Sequence, residues 1–252
     1  MKEAFTFPTA KSIEADRSKL PPAVGLPPGS NGYKPYSNDE VLRLIFLDVD
    51  GVLNSHKTQV IHGATPFPLA DPDSKGDMVR DAYATDYLAA ALVNKLCEST
   101  GALIILSSSW RLGYTMNELA KILGEIGINP EYFIGRTEDT KGTGSKASHR
   151  GMQIESFIEK AQTDIGRKEL LEEGLLDLAF TTVKKLKVNT YVIIDDDSDM
   201  LDYQEKDHFV KTTYMEGLTC TLAIEAGKIL SDDETFYLNR LGGTPTLPES
   251  RN

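Results

Sequence analysis

The sequence predicts an α/β fold built on a central, mainly parallel sheet, and two observations predict it. Three short apolar runs, Leu42–Leu47 (LRLIFL), Ala102–Leu106 (ALIIL) and Tyr191–Ile194 (YVII), each stop at a polar cluster, as buried parallel strands do at the carboxyl edge of a sheet. Segments of helical period lie between them, and strand alternating with helix is the signature of parallel βαβ units.

Six of the twelve prolines precede Asn38, and residues 1–40 have neither strand nor helix period, so they form an extended or disordered proline-rich arm. Order starts at the LRLIFL strand. Residues 55–82 are polar, contain Gly and Pro, and have no regular assignment. Leu88, Leu92 and Leu96 recur every four residues after Asp86, which places a helix there. After the ALIIL strand, Thr115 and Glu118 form a capping box ahead of Met116, Leu119, Ile122, Leu123 and Ile126, with Gly127 as the stop. Residues 137–150 again have no assignment. Helices follow over Met152–Ala161 and over Glu169–Leu186, where Gly174 is a weak point. The YVII strand, an edge strand over His208–Thr213 and a helix over Leu222–Leu230 complete a single domain of residues 41–241, with 242–252 as a loose tail. There is no internal repeat.

Composition bounds the function. With 252 residues, 40% hydrophobic and 26% charged, the chain is neither fibrous nor wholly disordered. A net charge of −11, from 27 basic and 38 acidic residues, disfavours broad grip on nucleic acid by counterion release and equally on anionic membranes. The first twenty residues lack the apolar run of a signal peptide, and nowhere do eighteen apolar residues follow one another, so neither secretion nor membrane spanning is expected. Cys97 and Cys220 are too few for a disulfide framework and read as free thiols of a reducing, cytoplasmic setting. Nothing in the sequence sets an oligomeric state.

In an open parallel sheet, ligands bind beyond the carboxyl ends of the strands, so the three polar clusters converge. Asp48, Asp50, Asp195 and Asp196 place four carboxylates there, and their repulsion is tolerable only around a hard cation; oxygen ligands favour Mg2+, and Mg2+ points to phosphate. In Asp48-Val49-Asp50-Gly51, two carboxylates one residue apart cannot play the same part. The first would attack and the second would move protons, with Gly51 allowing the sharp turn.

The motifs FLDVDGVLN, ILSSSWR, a basic residue ahead of a helix, and VIIDDDSD resemble, in order, the four motifs of the haloacid dehalogenase (HAD) superfamily over roughly residues 41–230. SSSWR, RGMQIESFI and the DDDSD run followed by GLT are most similar to the HAD domain of Swiss Army Knife RNA repair proteins. The resemblance implies a Rossmann-like three-layer sandwich with a small or minimal cap, for which 55–82 and 137–150 are the candidates. It implies that Asp48 is the nucleophile forming an aspartyl-phosphate and Asp50 the acid/base, which the family's dehalogenases lack and its phosphatases have. Ser108, with Ser107 as runner-up, would place a hydroxyl on a phosphoryl oxygen. Arg150, with Lys146 as the alternative, would offset phosphoryl charge. Asp195 or Asp196 would hold Mg2+ beside Asp48 and the backbone carbonyl of Asp50.

The expected function is a Mg2+-dependent phosphomonoesterase acting on a nucleotide, a nucleic-acid end phosphate or another phosphomonoester. A phospho-acceptor switch and a catalytically silent binding module are the alternatives; in the first, the acidic pair precedes the acceptor aspartate, an order opposite to this chain's. Plainer readings apply elsewhere. Trp110 and Arg111 could clamp a nucleobase, but a lone Trp after a strand more often belongs to the core. His56, His62, His149 and His208 lack metal-ligand spacing. Lys184, Lys185 and Lys187 read as the solvated face of a helix, and Cys97 as buried on its own.

Overall fold

A computed structural model of the chain describes residues 39–62, 85–138 and 150–236. Most of the N-terminal arm, the tail, Lys146 and His149 lie outside the described residues, as do most of the two cap candidates.

Five strands form one sheet in the order β3-β2-β1-β4-β5, all neighbours parallel: β1 (Asp39–Leu47), β2 (Leu103–Leu106), β3 (Phe133–Arg136), β4 (Lys185–Asp195) and β5 (Phe209–Lys211). The helices are α1 (His56–His62), α2 (Tyr87–Thr100), α3 (Met116–Glu125), α4 (Arg150–Gln162), α5 (Asp164–Glu172), α6 (Asp202–Asp207) and α7 (Cys220–Ser231). The expected α/β class and parallel sheet are therefore present.

β1 is the centre of the core because it is covered on both faces. Leu44, Ile45, Phe46 and Leu47 are all at most 1% exposed, and burying each such side chain stabilises the fold by about 1.5–3 kcal/mol as an upper estimate. The Phe46 ring meets Phe157 of α4 edge-on at 6.0 Å and Tyr191 of β4 at 5.8 Å. The chain runs from β1 outward to β3 and then back across the sheet to β4; since parallel crossovers are right-handed as a rule, that reversal sends α4 and α5 to the face opposite to α2 and α3. α7 packs against α2. The reversal falls between β1 and β4, and that is where an open sheet leaves a crevice at its carboxyl edge.

Local signals explain most boundaries. Asp86 caps α2 by accepting from the Leu88 and Ala89 amides, and Gly101, at φ +70°, ends it. The Thr115–Glu118 capping box opens α3. Leu92 and Leu96 are buried as their spacing predicts, whereas Leu88, in the same phase, is 61% exposed at the helix start. β5 is an edge strand, shorter than the predicted His208–Thr213.

One prediction is corrected. No single helix covers Glu169–Leu186: α5 ends at Glu172, and Gly174, at φ +65°, turns the chain back so that the Leu175 amide reaches the Leu170 carbonyl. A 3₁₀ turn at Leu178–Thr182 follows, and β4 begins at Lys185. Burial overrides helical period here, because Leu175, Leu176, Phe180 and Val183 fill the core from turns and the 3₁₀ segment and Leu186 fills it from the start of β4. Lys184, Lys185 and Lys187 are exposed as expected, but the last two alternate with buried Leu186 on a strand. β3, α1 and α6 have no counterpart in the sequence pattern, being too short to carry a period.

Candidate active site

The register of the sheet brings the polar clusters to one level. Hydrogen bonds continue past the strand ends, from the Asp48 amide to the Ile194 carbonyl, Ser107 to Leu47, Thr137 to Leu106 and Thr212 to Asp195. All five strands of the sheet are thus tied to a neighbour at their carboxyl ends, and residues distant in the chain share one edge.

At that edge Asp48, Asp195 and Asp196 each offer a carboxylate oxygen within 4.8 Å of the others. Asp48 and Asp195 are buried, whereas Asp196 is half-buried. Arg150, the first residue of α4, reaches in from the other side. Its Nη1 lies 3.2 Å from Asp48 Oδ1 and also donates to Asp195, while Nη2 is 4.0 Å from Asp197. The start of α4 is fixed by Asp199, whose carboxylate accepts from the Arg150 amide at 3.0 Å and whose carbonyl accepts from Gly151. Gly151 is required there: a Cβ would lie 2.7 Å from the Leu201 nitrogen. Buried Gln204 ties the two loops by donating to the Gly151 carbonyl and accepting from the Leu201 amide.

Gly51 has φ +74°, and a Cβ on it would sit 2.2 Å from Asp196 Cγ. Glycine therefore both makes the turn after Asp50 and leaves space for the Asp196 carboxylate. The Thr212 hydroxyl donates to the Gly51 carbonyl, joining the loops beyond β1 and β5. Asp50 is pinned from two sides, with Oδ2 accepting from the Trp110 indole at 2.9 Å and Oδ1 from Asn54 Nδ2 at 3.1 Å.

The two serines differ. The Ser108 hydroxyl bonds to the Asp48 carboxylate and accepts from the Trp110 amide, whereas the fully buried Ser107 hydroxyl has no hydrogen-bond partner among the described residues. Arg111 does not clamp an aromatic ligand. Its guanidinium donates to the carbonyls of Ser107, Ser108, Thr137 and Glu138 and to Gln153 Oε1, so it binds the β2 turn to the end of β3 and to α4. Trp110 is 9% exposed, a core ring with its N–H turned to Asp50. His208 stacks on Tyr191 at 4.0 Å, away from the carboxylates.

Burial pushes the Asp48 carboxyl up to about 7, with Asp195 adding to the rise and Arg150 and Ser108 opposing it. Burial likewise lifts Asp195 to about 6 against the pull of Arg150. Asp50 and Asp196 are raised too, chiefly by burial. For Arg150, burial works against the charge, but Asp48 and Asp195 outweigh it and the guanidinium stays protonated. Four carboxylates against one contacting guanidinium, among the described residues, leave negative charge that a divalent cation would neutralise, and hard oxygen donors suit Mg2+. Asp48, Asp195 and Asp196 are the residues fitted to hold it.

A profile of the HAD domain in Swiss Army Knife RNA repair proteins matches residues 44–169. The chain belongs to the HAD family. The matched span contains Asp48, Asp50, Ser107, Ser108 and Arg150, while the β4 carboxylates lie beyond it. No curated protein and no solved structure matches the chain. Among the described residues no helix is long and apolar enough to cross a membrane. Membership fits a Mg2+-using superfamily of hydrolases and phosphatases that take phosphorylated substrates, and the buried acidic cluster is compatible with its metal site.

The carboxylates, the serines and Arg150 stand out in the sequence motifs, whereas Asn54, Asp199 and Gln204 acquire a role only from their hydrogen bonds. Asn54 ends the first motif and Asp199 the DDDSD run, and that adjacency was the available signal.

The HAD cluster has a pH signature. A carboxyl whose folded pKa is raised contributes stability that is full below its unfolded value and lost as pH rises through the folded one. In chelator, Asp48 and Asp195 should therefore lower the melting temperature as pH climbs from about 5 to about 8, and Mg2+ should restore stability mostly at the higher pH. Differential scanning fluorimetry with Mg2+ and with EDTA at both pH values checks this. Equal Mg2+ shifts at the two values would remove the cluster as the cation site.

Proposed function

We propose that the protein is a Mg2+-dependent phosphomonoesterase acting through an aspartyl-phosphate, on a nucleotide or a nucleic-acid end phosphate. The observation that carries the reading is the pairing of Asp48 and Asp50 beyond β1. Asp48 lies in the acidic cluster, while Asp50 is turned away onto two neutral N–H donors.

Asp48 attacks phosphorus and the ester P–O bond breaks. Asp50 gives its proton to the leaving alkoxide, then takes one from the water that attacks the aspartyl-phosphate, so inorganic phosphate leaves and both carboxyls return to their starting states. Arg150, already between Asp48 and Asp195, shares its donors with the phosphoryl oxygens. Ser108 stays on Asp48, and Ser107 has the uncommitted hydroxyl for a phosphoryl oxygen. A bound Mg2+ would neutralise charge on the carboxylates and the phosphoryl group. The nucleic-acid end is favoured by the kinship with RNA repair proteins; the net charge of −11 restricts the contact to a local one.

The test is release of inorganic phosphate from an aryl phosphate with Mg2+ and with chelator, followed by a substrate screen. Mg2+-dependent release is expected, with 3′- or 5′-phosphorylated oligonucleotides or nucleotides among the preferred substrates. Inert oligonucleotides and nucleotides beside active sugar phosphates would overturn the substrate class. No release from any ester, together with no binding of beryllofluoride, would favour a silent binding module.

A further inference from the structure

The contact between Trp110 and Asp50 joins two loops that are sixty residues apart, and its donor is chemically special. Trp110 is the chain's only tryptophan. Its ring is 9% exposed, its Nε1 is 2.9 Å from Asp50 Oδ2, and its own amide donates to the Ser108 hydroxyl, which bonds to Asp48. Arg111 holds the Ser107 and Ser108 carbonyls and so braces the turn that carries the indole. A continuous path, Asp48 to Ser108 to Trp110 to Asp50, links the two carboxylates of the first motif through the end of β2.

Resting on the phosphatase reading above, we infer that Trp110 is a positioning residue for the acid/base Asp50. An indole N–H donates and never accepts, so it cannot take Asp50's proton or offer an alternative route for it. With Oδ2 accepting from Trp110 and Oδ1 from Asn54, the plane of the carboxylate is fixed. The proton of the acid form is restricted to the oxygen lone pairs that remain. Packing holds the ring, so the donor is in place before substrate binds. A lysine or serine donor at this place would be free to rotate away.

The single tryptophan makes the test clean. Growth on β-(3-benzothienyl)alanine replaces the N–H by sulfur at position 110 alone and keeps the ring's shape, and Trp110→Phe is the companion variant. Against an alkyl phosphomonoester with Mg2+, whose poor leaving group needs the Asp50 proton, kcat should fall about 10- to 100-fold in the benzothienyl protein with KM changed by less than about twofold. In 15N-labelled protein the one indole N–H resonance should shift in Asp50→Ala. Unchanged kcat in the benzothienyl protein, a fall carried by KM alone, or an indole resonance unmoved by Asp50→Ala would each overturn the assignment. Absence of turnover in the unsubstituted protein would instead sink the phosphatase reading, and the indole resonance would then decide by itself whether Trp110 holds Asp50.

Discussion

Asp48→Asn is expected to abolish phosphate release, by about 10⁴-fold or more, without unfolding the protein. An amide nitrogen has no lone pair free to attack phosphorus, and its oxygen is a far weaker nucleophile than a carboxylate. The structural cost is small because the substitution removes a charge that its surroundings resist: burial and Asp195 both press the Asp48 carboxyl towards its neutral form. Arg150 keeps Asp195, and an Asn oxygen can still accept from Ser108 or Arg150. The melting temperature in chelator should therefore equal or exceed that of the unsubstituted chain, while its gain from Mg2+ should shrink, since one of three clustered carboxylates has lost its charge. Phosphate release and thermal melting, each with Mg2+ and with EDTA, check both halves. Full activity in Asp48→Asn would eliminate the aspartyl-phosphate mechanism.

Asp50→Asn should slow turnover by about 100- to 10,000-fold, because a positioned acid/base is lost from both half-reactions. The packing argument differs from that for Asp48. Both neighbours of Asp50 are donors, so an Asn amide must oppose either Trp110 or Asn54. Asn54 is the partner able to yield: turning its amide over offers an oxygen to the new NH2 group and sacrifices only a long 3.4 Å bond from Gln59. The fold should survive. Two kinetic features separate this variant from Asp48→Asn. A substrate with a good leaving group, such as a nitrophenyl phosphate, needs no proton in the first step and should lose much less in that step. The slower second step should let the aspartyl-phosphate accumulate, detectable as a burst in rapid quench. Equal losses for activated and unactivated esters, with no burst, would remove Asp50 from proton transfer.

Much of this molecule is legible in its sequence because the signals are local. A strand buried on both faces must be an unbroken apolar run, and LRLIFL, ALIIL and YVII are such runs. Asp86 and Thr115 act within a few residues of themselves, so the starts of α2 and α3 follow from the chain alone. The failure over Glu169–Leu186 has the same origin. Leucines and valines spaced for a helix are buried there from turns and the start of a strand, and only the core into which they pack distinguishes the two.

The site divides in the same way. Residue type is local: carboxylates after two strands, serines after a third and a basic residue ahead of a helix can all be read from the chain. What each of them touches is set by the packed fold. Strand register, which no local pattern encodes, set Asp48 level with Asp195 and Ser107. It committed Ser108 to Asp48 and left Ser107 without a partner among the described residues, consumed Arg111 on backbone carbonyls, and set the indole of Trp110 on Asp50. Hydrogen-bond partners far apart in the chain meet only after the sheet has assembled, so residue type is written in the chain while partnership is a property of the packed fold.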